Sequence, residues 1–370
     1  MLKNINYLCR LKKQSRKMNS LELEQFESQF IPLRKKKSRM RYRVAVIGGG
    51  TWATAIIKIL STNLEHFNWW VREEEIVDGV TKYGHNPLFL SSVFINPKEV
   101  KVTQDIRQAV AKADYIVLVT PSAFLHKTLE PLHKSQLNRK KIIIAVKGIV
   151  PETMQVITEY LHSEFSIPFN NMAVISGPSH AEEVSQEKLS FLTSASPNAE
   201  LAETVARFFK NRYVRTSISN DIKGVELAVV LKNIYALGAG IYSGLGYGDN
   251  FIACYVSNCL KEMKRFVSRM YSNEERQLTD SVYLGDLLVT AYSRYSRNRM
   301  FGNMIGHGLS VKVTLLEMKM VAEGYYAAPC IYEINKSVQA NIPIAEAIYN
   351  VLYENFPVAS EMKRLSEYFI

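Results

Sequence analysis

An apolar run at residues 43–47 breaks into Gly48-Gly49-Gly50, and from Thr51 the chain resumes as an apolar stripe at helical spacing. Strand, glycine turn, helix is the opening of a β-α-β unit. The spacing Gly48-x-Gly50-x-x-Ala53 matches the G-x-G-x-x-G/A pattern in the context that gives it meaning. Gly48 allows the tight turn, Gly50 lets backbone approach a pyrophosphate, and the small Ala53 permits close packing of helix on strand. The helix N-terminus adds unpaired N–H groups and a partial positive charge. The turn therefore reads as a dinucleotide site.

Further strands are expected at residues 67–71, 115–120, 142–146, 172–175 and 190–194, and helices at 106–113, 151–165 and 200–210. Residues 84–97 read as a turn-rich excursion. Alternating strands and helices imply a mostly parallel sheet covered on both faces. After about Asp221 convincing strands vanish and apolar-periodic segments follow at 225–241, 251–270, 281–295, 311–319, 329–340 and 344–353. The expected fold class is α/β: a Rossmann-like doubly wound sheet at 41–221, then an all-helical domain at 222–370. Residues 1–40 read as a basic, disordered leader.

The net charge of +11 would suit a nucleic-acid partner were it spread over a folded face. Instead residues 1–43 carry thirteen Lys or Arg against three Glu, which leaves only +1 for the remaining 327 residues. No nucleic-acid partner is expected. The leader reads as a solvated tail, a targeting segment, or an over-long start with Met18 or Met40 as the true first residue. No uninterrupted apolar stretch has the length of a membrane span, so no integral membrane segment is expected. Cys9, Cys254, Cys259 and Cys330 lack metal-ligand spacing and read as reduced thiols of a cytoplasmic protein, with no metal site.

Several residues carry chemistry of their own. After the second strand, Arg72 would pair with a 2′-phosphate and favour NADP, whereas the adjacent Glu73 would accept from a ribose 2′-OH and favour NAD. The strand ends at 120–122, Lys147-Gly148 and 176–179 fall where open α/β sheets bind ligands. The helix from Gly224 is apolar nearly all round except for Glu226, Lys232 and Asn233. A desolvated amine titrates nearer neutrality, so Lys232 is a candidate acid–base group with Asn233 beside it. Asp286 leads into Ser296-Arg297-Asn298-Arg299, a candidate phosphate clamp, since guanidinium grips oxyanions bidentately. Gly306 and Gly308 beyond it suggest tight backbone packing.

Taken together, these residues make the chain resemble the bacterial NAD(P)-dependent glycerol-3-phosphate dehydrogenases. The matching blocks are VIGGGTWATA at 46–55, VTPS at 119–122, VKGI at 146–149, SGPSHAEEV at 176–184, VELAVVLKNIYA at 225–236, GLGYGDN at 244–250, residues 286–302, and VAEG at 321–324. The resemblance implies reversible hydride transfer between NAD(P)H, with NADP favoured, and dihydroxyacetone phosphate, giving sn-glycerol 3-phosphate for phospholipid synthesis. It also implies Lys232 as catalytic acid–base, Lys147 contacting cofactor and substrate, and a substrate site of Gly177, Ser179, Asn233, Asp286, Ser296, Arg297 and Asn298. Cofactor contacts would come from Gly48, Gly50, Thr51, Trp52, Ala53, Arg72, Ala181, Arg297, Val321 and Glu323. A homodimer is expected on the same basis.

The chain departs from the family pattern at Ala53, at Leu125-His126 where an arginine is frequent, at His180 in place of an aromatic, at Ser243 and at Ala291-Tyr292. Two other readings are a related dehydrogenase of another hydroxy acid, which would need a carboxylate site in place of Arg297-Asn298, and a dinucleotide sensor, which would not need Lys232.

Overall fold

In the computed structural model, residues 39–318 and 321–369 are described. The reading of residues 1–40 as a leader lies outside them for 1–38; Met40 pairs with Leu64, its N–H donating to the Asn63 carbonyl at 2.7 Å. An eight-stranded sheet runs in the order β10-β9-β8-β5-β4-β1-β2-β3. Its strands are β1 (Val44–Ile47), β2 (Phe67–Trp70), β3 (Val100–Thr103), β4 (Tyr115–Leu118), β5 (Lys141–Ile144), β8 (Met172–Ser176), β9 (Ser190–Ala195) and β10 (Val214–Ser219). Neighbours are parallel except β8 and β9, which run antiparallel. Strand order reverses at β1, where the chain turns from β3-β2-β1 to β4 and β5. That is the switch point outside which doubly wound sheets bind ligands.

Central β1 is buried at every residue because helices cover both faces. The first of these, α1 (Thr51–Ser61), follows the glycine turn, and α2 (Glu74–Tyr83) follows β2. The sheet helices continue with α3 (Ile106–Ala111), α4 (Ser122–Leu129), α5 (Ile157–Phe165), α6 (Ala181–Ser185) and α7 (Ala199–Phe209). Helix α8 (Ile222–Gly244) opens the helical half at the Asp221 cap, and α9 (Asp249–Met270) and α10 (Asp286–Tyr292) follow. The remaining helices are α11 (Arg297–Gly306), α12 (Val311–Glu317), α13 (Glu323–Val338), α14 (Pro343–Tyr353) and α15 (Val358–Ser366).

With 23 residues and a mean hydropathy of 1.4, α8 has the length and composition of a membrane-crossing helix, but its apolar window is wholly buried here. A helix apolar all round suits a core position, and the core built on α8 is continuous with one face of the sheet through Ala45, Ile116 and Ile142.

Four local expectations are corrected. Residues 151–156 are not helical: Pro151 sits in the turn of a hairpin between β6 (Ile149–Val150) and β7 (Gln155–Val156), with Met154 at φ 55°, so the helix starts at Ile157. The segment 281–295 is not one helix; a π-turn at Ser281–Gly285 leads into α10, which stops at the extended Ser293. The helix expected from Pro329 starts six residues earlier, at Glu323. Proline deprives the carbonyl four residues back of its donor, and the Tyr353 hydroxyl takes that place, donating to the Tyr325 carbonyl at 2.7 Å. Strands β3 and β10, both sheet edges, were not anticipated at all.

Candidate active site

The glycine turn takes the geometry its sequence calls for. Gly48 has φ 132°, where a side chain is strained, and a Cβ there would come within 3.0 Å of the Val119–Thr120 backbone. Trp69 donates its indole N–H to the Gly48 carbonyl at 2.7 Å. Buried Asn86, in the turn-rich excursion, donates to the Gly49 carbonyl and to Thr54 Oγ1, pinning the turn from behind. A Cβ on Gly50 would meet nothing within 4 Å, and α1 starts there without a side-chain cap. Open space before uncapped helix N–H groups is a cradle into which a pyrophosphate fits.

A cleft outside the carboxyl ends of the strands is lined by Gly50, Thr51, Trp52, Lys147, Ser179, Ala181, Lys232, Asn233, Asp286, Ser296, Arg297, Asn298, Val321 and Glu323. Segments separated by more than 250 residues thus converge on one space. Four residues expected at the site stand off its wall. Gly48 and Ala53 support the turn from within. Gly177, at φ 141°, shapes the loop after β8 and takes a hydrogen bond from Ser179 Oγ at 2.8 Å. Arg72 lies exposed beyond β2, its Nε and Nη2 donating to Glu73 Oε1 at 3.0 and 2.8 Å.

At the floor of the cleft, Lys232 Nζ donates to Asp286 Oδ1 at 2.7 Å and to Thr290 Oγ1 at 3.0 Å. Lys147 Nζ stands 4.0 Å from Asp286 Oδ2, to which Ser176 Oγ also donates at 3.3 Å. Burial pulls the Lys232 ammonium down to about 8; Asp286 opposes the shift and Lys147 adds to it. Burial pushes the Asp286 carboxyl up, but the two ammonium groups outweigh it and hold it below the usual carboxylate range. Thr290 was missed from sequence, although it lies four residues after Asp286 on one helical face. Asn233 turns its amide toward the Lys147 carbonyl, 2.8 Å away.

Only one of the two arginines of the expected clamp faces the cleft. Arg299 donates to Ser243 Oγ at 3.2 Å. Arg297 has no hydrogen-bond or ion-pair partner among the described residues; burial lowers its pKa, opposed by Glu182 and Glu323. Ser296 caps α11 by accepting from Arg299 N, and Asn298 Oδ1 accepts from Gly324 N at 2.9 Å. The approach of α11 to α8 depends on Gly302 and Gly306, where any side chain would strike the Leu237 and Ile241 carbonyls. For Gly308 the expected tight packing is not seen: its φ of 92° marks a turn with open space around it.

Glu323 closes the wall by accepting from Ser122 N at 3.1 Å and Ser122 Oγ at 2.5 Å, at the start of α4. Its carboxyl is raised by burial and lowered by those donors and by Arg297, with burial prevailing. Cys254, Cys259 and Cys330 are free thiols that do not line the cleft, and Cys9 lies outside the described residues.

A doubly wound sheet with a pyrophosphate cradle at its switch point, facing a helical half that supplies a buried lysine, defines a dinucleotide-dependent oxidoreductase. Comparison with known proteins narrows the class. The chain belongs to the NAD-dependent glycerol-3-phosphate dehydrogenase family, whose N-terminal model matches residues 43–202 and whose C-terminal model matches 221–363. It is 34% identical over 316 residues to glycerol-3-phosphate dehydrogenase [NAD(P)+] of Chlorobium limicola, covering 85% of this chain and 94% of the relative. The enzyme of the same name from Bacillus pumilus is 33% identical over 326 residues, covering 87% and 93%. The crystal structure of glycerol-3-phosphate dehydrogenase from Coxiella burnetii superposes with a TM-score of 0.82 at 28% identity, over 88% of this chain and 99% of that one.

Proposed function

We propose that the chain catalyses reversible NAD(P)H-dependent reduction of dihydroxyacetone phosphate to sn-glycerol 3-phosphate, as a cytoplasmic, homodimeric enzyme supplying phospholipid synthesis. The observation that carries the reading is the unpartnered Arg297 guanidinium sharing a cleft with the Lys232–Asp286 pair. One end of such a cleft suits a phosphate and the other a carbonyl whose oxygen must gain a proton.

Nicotinamide dinucleotide, when bound, supplies or removes the hydride. Gly50, Thr51 and Trp52 would hold its pyrophosphate, on a turn that Gly48 and Ala53 support from within, with Ala181, Arg297, Val321 and Glu323 along its path. Lys232 Nζ transfers its proton to the oxygen that becomes negative during reduction, and takes it back in reverse. A value near 8 keeps both forms accessible close to neutral pH. Asp286 and Thr290 orient that ammonium by their two hydrogen bonds. Lys147, with its main chain held by Asn233, adds positive charge beside the carbonyl and contacts the cofactor. Arg297 takes the phosphate, assisted by Ser296, Asn298, Ser179 and the loop shaped by Gly177, and this remote contact positions the carbonyl.

Arg72 favours NADP(H): a 2′-phosphate would compete with Glu73 for its guanidinium. Removing the side chain in Arg72→Ala should lower the NADPH-to-NADH ratio of kcat/KM about tenfold, the scale of a charge-assisted hydrogen bond. The function itself is tested by NAD(P)H oxidation with dihydroxyacetone phosphate. Turnover is expected with the phosphorylated ketone, and Arg297→Ala should raise KM roughly 10- to 100-fold. Failure of the unsubstituted protein to reduce this ketone would overturn the substrate assignment.

A further inference from the structure

His180 lines the cleft beside Lys232 and Asp286. Its Nε2 lies 3.3 Å from the Val289 carbonyl, which can only accept. The proton is therefore on Nε2, and Nδ1 carries a lone pair. No described residue donates to Nδ1. The ring also packs near Tyr295, at 6.2 Å between centroids. Burial, with Lys232 and Lys147 nearby, drives the imidazole down to about 4, so it stays neutral at working pH.

Most other polar groups at this end of the cleft are donors or already engaged. Lys147, Lys232 and Arg297 only donate, and Asn298 has committed its oxygen to Gly324. Asp286 has Lys232 on one oxygen and Ser176 and Lys147 on the other. These donors match the carbonyl and phosphate oxygens of the proposed substrate. They leave the O–H of its free hydroxyl, one carbon from the carbonyl that Lys232 serves, without an acceptor. Among the described residues that line the cleft, uncommitted acceptors include His180 Nδ1, Asn233 Oδ1 and the Glu182 carboxylate; Asn233 is drawn toward the Lys147 main chain, and Glu182 acts on Arg297 at the phosphate end.

We propose that His180 is a specificity-determining residue whose Nδ1 accepts the hydrogen bond of the substrate's C1 hydroxyl. This rests on the proposed reduction of dihydroxyacetone phosphate. An acceptor built for a hydroxyl leaves an unpaired polar group when the hydroxyl is missing, so the analogue lacking it is rejected.

The test compares kcat/KM for dihydroxyacetone phosphate and its deoxy analogue, hydroxyacetone phosphate, within each of four proteins. The ratio is internal to each protein, so loss of folded enzyme cancels. The unsubstituted enzyme should favour the hydroxylated ketone, and His180→Phe should reduce that preference about tenfold. His180→Gln, which keeps an acceptor, should retain most of it. An unchanged ratio in His180→Phe, or a ratio that falls in Asn233→Ala instead, overturns the assignment. Absence of any turnover in the unsubstituted protein would fail the functional reading rather than this one.

Discussion

Two ionisable side chains are buried on α8 within two helical turns of each other, and they do different work. Glu226 and Lys232 are 3% and 4% exposed. Glu226 accepts from Thr158 N at 3.0 Å and Thr158 Oγ1 at 2.5 Å, so it caps α5 from a neighbouring element. Burial nonetheless pushes its carboxyl up to about 7. Glu262 does the same for α14 through the Ile344 and Ala345 N–H groups, and Glu323 for α4. Each places carboxyl oxygens at a helix N-terminus, where free N–H groups offset part of the cost of burying them. Lys232 instead meets a charged side chain, a hydroxyl and an open cleft. Burial and a shifted pKa are common to both sites; what separates them is whether the surrounding groups leave the proton somewhere to go.

The contrast can be broken by substitution, and the largest effect belongs at Lys232. Lys232→Ala should lower kcat for ketone reduction by roughly 10²-fold or more, and should also lower thermal stability, because the buried Asp286 carboxylate loses its nearest counter-charge. Steady-state kinetics beside a melting curve checks both. Asp286→Asn should come next. Asp286 raises the Lys232 pKa, so its neutralisation should move the loss of reduction activity to lower pH by about one unit, seen in the kcat–pH profile. Glu226→Ala should leave kcat unchanged while costing about 1–3 kcal/mol of stability through the lost cap and the cavity, measured by denaturant unfolding.

The smallest effect is a slope. The Glu226 carboxyl titrates near 7 when folded against an ordinary 4.5, so the folded state holds the proton more tightly. The stability this group contributes is full below about 4.5 and is lost as pH rises through 7. Glu226→Gln cannot titrate, and its Tm should fall less than that of the unsubstituted protein across that window.

The same contrast explains what the sequence made legible. The glycine turn is local: strand, Gly48, Gly50 and helix all lie within twenty residues, and their spacing is the signal. Lys232 stood out as a charge in an apolar helix, but so did Glu226, and only the fold distinguishes them. The Asp286–Thr290 partnership is written in helical spacing, whereas the approach of both to Lys232 depends on packing across more than fifty residues. Edge strands β3 and β10 escaped notice because they lack a buried stripe; in β10 only Val214 is buried. The helix through Pro329 was unreadable for a related reason, since the hydroxyl that repairs it arrives from Tyr353.

The central claim is that Lys232, held near pH 8 by burial, is the group that gives and takes the proton. Its most direct test is the pH dependence of kcat in both directions of the reaction. Reduction needs the ammonium and should fall as pH rises through about 8, whereas oxidation needs the free amine and should rise through the same pH; Lys232→Ala should abolish both limbs. Profiles that move together, or limbs that survive in the variant, would contradict it.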